Sequence, residues 1–241
     1  MTATPHGSEQ APLVSPRFLY TLTAAVIGLA ALTASISVAG RWYGDRLALA
    51  GHTTSTDAVD LFIGQDHLRL PANVIRFDQQ RTTGRAERVD LYLTWPKLDG
   101  YSDATRDQFN DVGNPAALIF VEISQSTMSR DMSGRLQPIY QHIFQASTQS
   151  GPAGLTRHDL KPNSGYGDEI FLTADRADGA PYVVRCLMPK TPEGSTSADC
   201  QRDVHAGQDL VVLYRFSSQL LPQWQSIDAA VRDYVGKRII P

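Results

Sequence analysis

Residues Glu87–Trp95 read ERVDLYLTW. Val89, Leu91, Leu93 and Trp95 recur with a period of two, which lines them along one face of an extended chain and marks a half-buried strand. Pro96 ends the run. The chain on either side repeats the theme. LFIGQDHLRL (residues 61–70) carries apolar residues on both sides of a Gly-Gln-Asp turn and is predicted to form a hairpin. ALIFVEI, DEIFLTA, PYVVRCL and DLVVLYRF are rich in branched and aromatic residues and lie between Gly, Pro, Asn or Asp, so each reads as a strand. SDATRDQFNDV reads as a short helix or turn with Ser102 as N-cap and Phe109 as its buried anchor.

The period changes near the C-terminus. In SSQLLPQWQSIDAAVRDYV, Leu220, Trp224, Ile227, Val231 and Tyr234 recur every three or four residues, the spacing of one amphipathic helix. Ser218 stands near its start, Gly236 near its stop, and Pro222 in a first turn that tolerates it. The predicted class is mainly β with α+β character: an antiparallel sheet or sandwich closed by a C-terminal helix.

The chain has 241 residues, 42% hydrophobic and 20% charged, which suits one packed domain after an N-terminal segment is set aside. A formal charge of −3 exerts no global pull toward nucleic acid or anionic lipid, and no nucleic-acid partner is expected.

The N-terminal segment is FLYTLTAAVIGLAALTASISVA, Phe18–Ala39, with no charge between Arg17 and Arg41. About 22 helical residues reach roughly 33 Å, the thickness of a bilayer core. Its only polar residues are Thr, Ser and Tyr, hydroxyls of Thr and Ser can bond back to the helix, and Tyr20, Trp42 and Tyr43 stand where interfacial aromatics belong. A cleaved signal is the alternative: Ser37, Val38 and Ala39 before Gly40 resemble a processing site, but the apolar run exceeds the usual 7–15 residues and only Arg17 precedes it. An uncleaved anchor over 17–40 is therefore expected, after a disordered cytoplasmic leader (1–16) and before a linker (41–57) and a periplasmic β-rich domain (58–241). Arg41 and Arg46 beyond the span outnumber Arg17, so charge counting opposes that orientation; the polar leader and the cysteine pair favour it. Ala24 and Gly28, and Ala31 and Ser35, give two helices a surface for close approach, a route to a homodimer.

Cys186 ends one strand and Cys200 precedes another, with a polar loop between. If the strands are neighbours, a disulfide closes about 15 residues and stabilises the fold by roughly 3 kcal/mol. Such bonds persist outside the cytosol. The spacing matches no zinc motif, and neither a metal nor a cofactor is expected.

RLPANVIRFDQQRTTGRAER holds Arg69, Arg76, Arg81, Arg85 and Arg88, a candidate contact for an anionic partner. Asp66, Asp78 and Glu87 stand among them, so a solvated, locally neutralised face is the competing reading. For catalysis the candidates are Ser129 with Asp131 and one of His142, His158 or His205. No nucleophile-elbow glycines surround a serine, and no Rossmann or P-loop pattern occurs, so no catalytic residue is assigned. The loops MSRDMSGRLQPIY and KPNSGYGDE combine Met, Arg, Gly and Tyr in a way that can line a binding surface, although ordinary turn chemistry also explains them.

FLYTLTAAVIGLAALTASISVAGRWYG, PANVIRF, MSRDMSGR, the SGYGDE loop and CLMPK together resemble a family of uncharacterised alphaproteobacterial single-span membrane proteins with a periplasmic domain. The resemblance implies an inner-membrane location and carries no activity. The expected role is a scaffold or binding component of an envelope assembly, with an envelope protein as partner; an anchored hydrolase of envelope polymers is the alternative.

Overall fold

The computed structural model describes residues 16–48, 51–177 and 179–241. Two compact units emerge, Met1–Gly51 and His52–Pro241. In the first, α1 runs Pro16–Ala48. Its stretch Arg17–Val38 has mean hydropathy 1.9 and is long and apolar enough to cross a membrane. Thr21, Thr33 and Ser35 donate to the carbonyls of Phe18, Leu29 and Ala31 at 2.8–2.9 Å, which removes hydroxyls from an apolar surface. Helical backbone continues through residues 41–48, read above as linker. Residues 1–15 of the leader and the side chains of Arg41, Trp42, Tyr43 and Arg46 lie outside the described residues.

The second unit holds two sheets. The smaller is built on β1 (Ala58–Ile63) and β2 (Asp66–Pro71), the predicted hairpin, flanked by the two-residue strands β3 (Gly84–Arg85) and β12 (Ile239–Ile240). β3 pairs with β1 in parallel, so this sheet is mixed. The larger sheet contains β4 (Arg88–Thr94), β5 (Leu118–Gln125), β6 (Phe144–Ser150), β7 (Thr156–Leu160), β8 (Ile170–Ala174), β9 (Tyr182–Cys186), β10 (Cys200–Ala206) and β11 (Leu210–Phe216). Their spatial order is β4-β5-β11-β10-β9-β8-β7-β6, antiparallel throughout.

Alternation decides which face each strand buries. Val89, Leu91 and Leu93 of β4, Val121 and Ile123 of β5, and Val212 and Tyr214 of β11 share one core with Leu61, Ile63, Leu68 and Leu70 of the hairpin sheet. Trp95 packs at the edge of that core, half-buried. The C-terminal helix closes it. A tight 3-10 segment, Ser218–Gln223, opens on Ser217, whose hydroxyl accepts from the Gln219 amide, and α5 follows as Trp224–Gly236. Leu220, Trp224, Ile227, Val231 and Tyr234 are all buried in the core. Among the described residues, short α-helical segments stand on the loops at α2 (Arg106–Asn110), α3 (Met132–Arg135) and α4 (Gln141–Ile143), the last two joined by a wide turn over Leu136–Tyr140. Ser102 and Thr105 exchange hydrogen bonds ahead of α2, and Phe109 is half-buried against His52, Tyr92 and Tyr101.

Cys186 and Cys200 are bonded, with their Cα atoms 4.0 Å apart. The bridge crosses directly between β9 and β10, where the two cysteines face each other. The strand DLVVLYRF is not the neighbour of β9: β10, whose Gln201, Arg202 and Asp203 hide it from a hydrophobic reading, lies between them and carries Cys200 itself.

Candidate binding groove

The face of the large sheet turned away from the main core carries the candidate site. At one end α3, α4 and the Leu136–Tyr140 turn cover it with a second apolar cluster of Met132, Tyr140, Phe144, Phe171 and Val183. Beyond that cover lies an open groove of about 320 Å³. Its floor is a set of residues that alternation sends outward: Glu122 of β5, Leu213 and Arg215 of β11, Asp203 and His205 of β10, and Arg185 of β9. Its walls are Met128, Met132, Arg135, Tyr140 and Tyr166, with the Tyr140 and Tyr166 rings edge to face at 6.4 Å. The two loops singled out for their Met, Arg, Gly and Tyr content therefore meet here, brought together by sheet topology although 25 residues of chain separate Tyr140 from Tyr166.

Most of the groove's charge is held in place. Arg135 pairs with Asp203 and donates from Nη1 to Met128 Sδ at 2.9 Å. Burial pushes the Asp203 carboxyl above its ordinary range, and Arg135 works against that shift. Arg185 donates to Glu169 at 3.1 Å and lies 5.5 Å from the Tyr166 ring centre. Burial raises the Tyr140 hydroxyl to about 12, which keeps it a neutral donor near neutral pH. Arg, Tyr and Met are the residue types that protein interfaces concentrate.

The groove also brings a serine to a histidine. Ser126 Oγ lies 3.1 Å from His205 Nε2 and 2.7 Å from the carbonyl oxygen of Met128. A hydroxyl has one proton, and the carbonyl can only accept, so that proton points at Met128 and the histidine is the donor to Ser126. A nucleophile needs the reverse polarity. The serine considered from sequence, Ser129, is exposed nearby. Asp131 caps α3 by accepting from the Gly134 amide at 3.0 Å. His158 stacks on Phe144 and contacts Thr173 Oγ1 at 2.8 Å, and the His142 side chain is exposed. Each has its own local setting. Among the described residues, no group of three His, Cys, Asp or Glu side chains comes together to hold a metal ion.

The arginines of the 69–88 stretch are dispersed as well. Arg69 pairs with Asp60 at 2.9 Å and Arg88 with Asp90 at 3.3 Å. Arg81 folds back on the carbonyls of Ile75 and Arg76 and pairs with Asp78 at 3.2 Å. Arg85 is exposed on β3. Arg76 lies over the rings of Phe77 and Phe120, 5.1 and 4.8 Å from their centres, and so reaches the outer sheet face. Arg135, Arg185 and Arg215 escape a sequence reading, since they lie on separate elements and only the strand order unites them.

No protein-family model and no curated protein matches the chain. Among solved structures, the chain is similar to an immunity protein of the Stenotrophomonas maltophilia type IV secretion system, at 17% identity and a TM-score of 0.53, covering 79% of this chain and 96% of that one. A second match, the Neisseria meningitidis iron-regulated outer membrane lipoprotein FrpD, has 12% identity and a TM-score of 0.42 over 76% and 95% of the two chains. The first likeness establishes the fold.

Proposed function

We propose that this chain is a non-catalytic protein of the cell envelope, anchored by α1 in the inner membrane, whose β-rich domain lies on the periplasmic side and holds a protein partner in the outer-sheet groove. One observation carries the reading: a groove walled by Met128, Met132, Tyr140 and Tyr166, whose guanidiniums are already oriented by Asp203 and Glu169. Such a surface binds with little ordering cost, and its Met side chains adapt to the partner. Met128, 58% exposed, marks its rim. The Cys186–Cys200 bond and the apolar helix support the location. The fold shared with a secretion-system immunity protein is compatible with a binding role and leaves the partner open.

The alternative, a hydrolase of envelope polymers, draws on the Ser126–His205 contact, and the polarity of that contact stands against it. A photo-activatable phenylalanine analogue in place of Leu213 tests the binding reading in living cells. A single dominant adduct from Leu213, without one from the exposed Val112 position, is the expected result. If Leu213 yields no adduct, the groove is not a partner site. Loss of a polymer-degrading activity in Ser126→Ala would restore the alternative.

A further inference from the structure

The cross-strand register sorts the outer face into rows of opposite sign. One row runs Phe120, Arg215, Gln201, Arg185 across β5, β11, β10 and β9. The adjacent row, two residues along each strand, runs Asp90, Glu122, Leu213, Asp203. Residues two apart on a strand are separated by roughly 6.6–6.8 Å.

Most members of these rows are satisfied within the chain. Arg185 has Glu169, Asp203 has Arg135, and Asp90 accepts from Gln80 Nε2 at 2.8 Å and from Arg88. Three are not. Arg76, over the Phe120 ring, and Arg215, paired in register beside Phe120, are both exposed, and neither has a carboxylate partner among the described residues. Arg215 reaches only the amide oxygen of Gln201, at 3.3 Å. The Glu122 side chain likewise has no hydrogen-bond or ion-pair partner among the described residues, although it stands directly opposite Asp90. Like charges facing across a ladder destabilise a sheet unless something neutralises them.

We infer that the groove, continued past Glu122, Leu213 and Arg215 onto the adjoining patch of Arg76 and Phe120, recognises an extended segment of a protein partner that sets an acidic side chain between Arg76 and Arg215 beside Phe120 and a basic side chain, two residues along, on Glu122. The inference rests on the groove being the partner site proposed above and adds the partner's chemistry. Two guanidiniums flanking one aromatic ring offer several donors to a single carboxylate. An extended segment lying along the strands repeats at the same two-residue spacing as the rows, so one acid and one base match both rows at once. A uniformly anionic ligand, whether a phosphate polymer or a lipid surface, meets Arg76 and Arg215 and is repelled by Glu122 and Asp90.

The test is the Leu213 photo-adduct in the full membrane-anchored chain, repeated with charge variants. Arg76→Glu together with Arg215→Glu is expected to lower adduct yield at least about tenfold. Arg76→Lys with Arg215→Lys, which keeps the charge, retains most of it, and Arg85→Glu leaves it unchanged. The partner peptide recovered from the adduct should carry an acid and a base two residues apart, and Glu122→Lys should weaken capture as the arginine reversals do. An adduct that survives the double reversal keeps the binding role and overturns the charge pattern, as does a crosslinked peptide without an acid. Total absence of an adduct overturns the binding role itself. Equal protease resistance of the variants shows that a lost adduct is not lost folding.

Discussion

Arg202 donates from Nε to Asp228 Oδ1 at 2.9 Å, joining β10 to α5 with side chains that are 1% and 0% exposed. The ladder between β9 and β10 holds for only two pairs, Cys186 with Cys200 and Arg185 with Gln201. Past them Arg202 bridges the two strands instead, donating to the carbonyl of Val183 at 2.7 Å and to Ser133 Oγ at 3.0 Å. Asp228 also accepts from Tyr214 at 2.7 Å and from Arg232 at 3.0 Å, and it pairs with Arg176. Burial opposes its ionisation, but Arg202, Arg232 and the Tyr214 hydroxyl outweigh burial and hold the carboxyl well below its ordinary value.

Removing Arg202 takes away the one fully buried cation and leaves Asp228 to the partly exposed Arg176 and Arg232. Arg202→Met should lower unfolding stability by about 3–5 kcal/mol in urea titration. The pH dependence follows from the direction of the Asp228 shift. A depressed carboxyl stabilises the fold above its ordinary value of 3.8 and loses that contribution as pH falls through the lower folded value. The steep acid limb below pH 4 should therefore flatten in Arg202→Met, and an unchanged limb would show that Asp228 is not held by this arginine.

That same arginine explains what the sequence conceals. β4 follows from alternation, β5, β8, β9 and β11 from runs of branched and aromatic residues between turn residues, and α5 from five apolar residues at helical spacing, because each element buries a continuous set of apolar side chains. β10 places Cys200, Arg202 and Val204 on its core face, so a charge stands at a core position and breaks the pattern; its compensation, Asp228, lies 26 residues away. β6 and β7 are missed for another reason. From Gln145 to Ser150 every residue of the edge strand is exposed, and no buried stripe exists to be read. The groove was half legible, as two loops with interface-type composition, and its guanidiniums were not, since register alone aligns Arg185 with Arg215 through Gln201.

The tripeptide Gly-Gln-Asp occurs twice, at residues 64–66 and 207–209, and the two copies clasp each other. Asp66 accepts from the amides of Gln208 and Asp209 at 3.0 and 3.1 Å, and Asp209 accepts from the Gln65 amide at 3.0 Å. Gly64 and Gly207 have φ of +58° and +59°, and a Cβ at either would overlap the opposing aspartate. Asp66→Ala strands two amides that the carboxylate had satisfied and should cost about 1–3 kcal/mol for each that stays dry. Gly207→Ala should also destabilise, by more than about 1 kcal/mol. Thermal melting checks both, and Asp66→Asn, which keeps an acceptor, should recover part of the loss.

Two histidines make the fold sensitive to mild acid. His52 stacks on Tyr101 with ring centres 4.4 Å apart and contacts Tyr92 at 3.0 Å; burial, then the charges of Arg81 and Arg76, lower its pKa. Burial alone lowers that of His158. A histidine whose folded pKa lies below its ordinary 6.5 binds protons more readily when unfolded, so stability rises with pH across that interval. The melting temperature should fall as pH drops below 6.5, and the drop should shrink in His158→Phe, which keeps the stack on Phe144. A profile flat between pH 7.5 and 5.5 would contradict this assignment.

The Cys186–Cys200 bond joins structure to location. Both residues are fully buried, and the bond ties β10 to β9 at the point where their ladder is two pairs long. Cys200→Ala should lower stability by about 3 kcal/mol, the chain-entropy value for a loop of this size, and should open the splay that Arg202 bridges. Alkylation of rapidly quenched cells then reads the compartment. A domain outside the cytosol shows no reactive thiol until the protein is both denatured and reduced. A domain facing the cytosol yields two thiols on denaturation alone, and in that case the anchored, periplasmic placement fails, whereas the groove and its rows of charge stand on geometry that owes nothing to the side of the membrane they face.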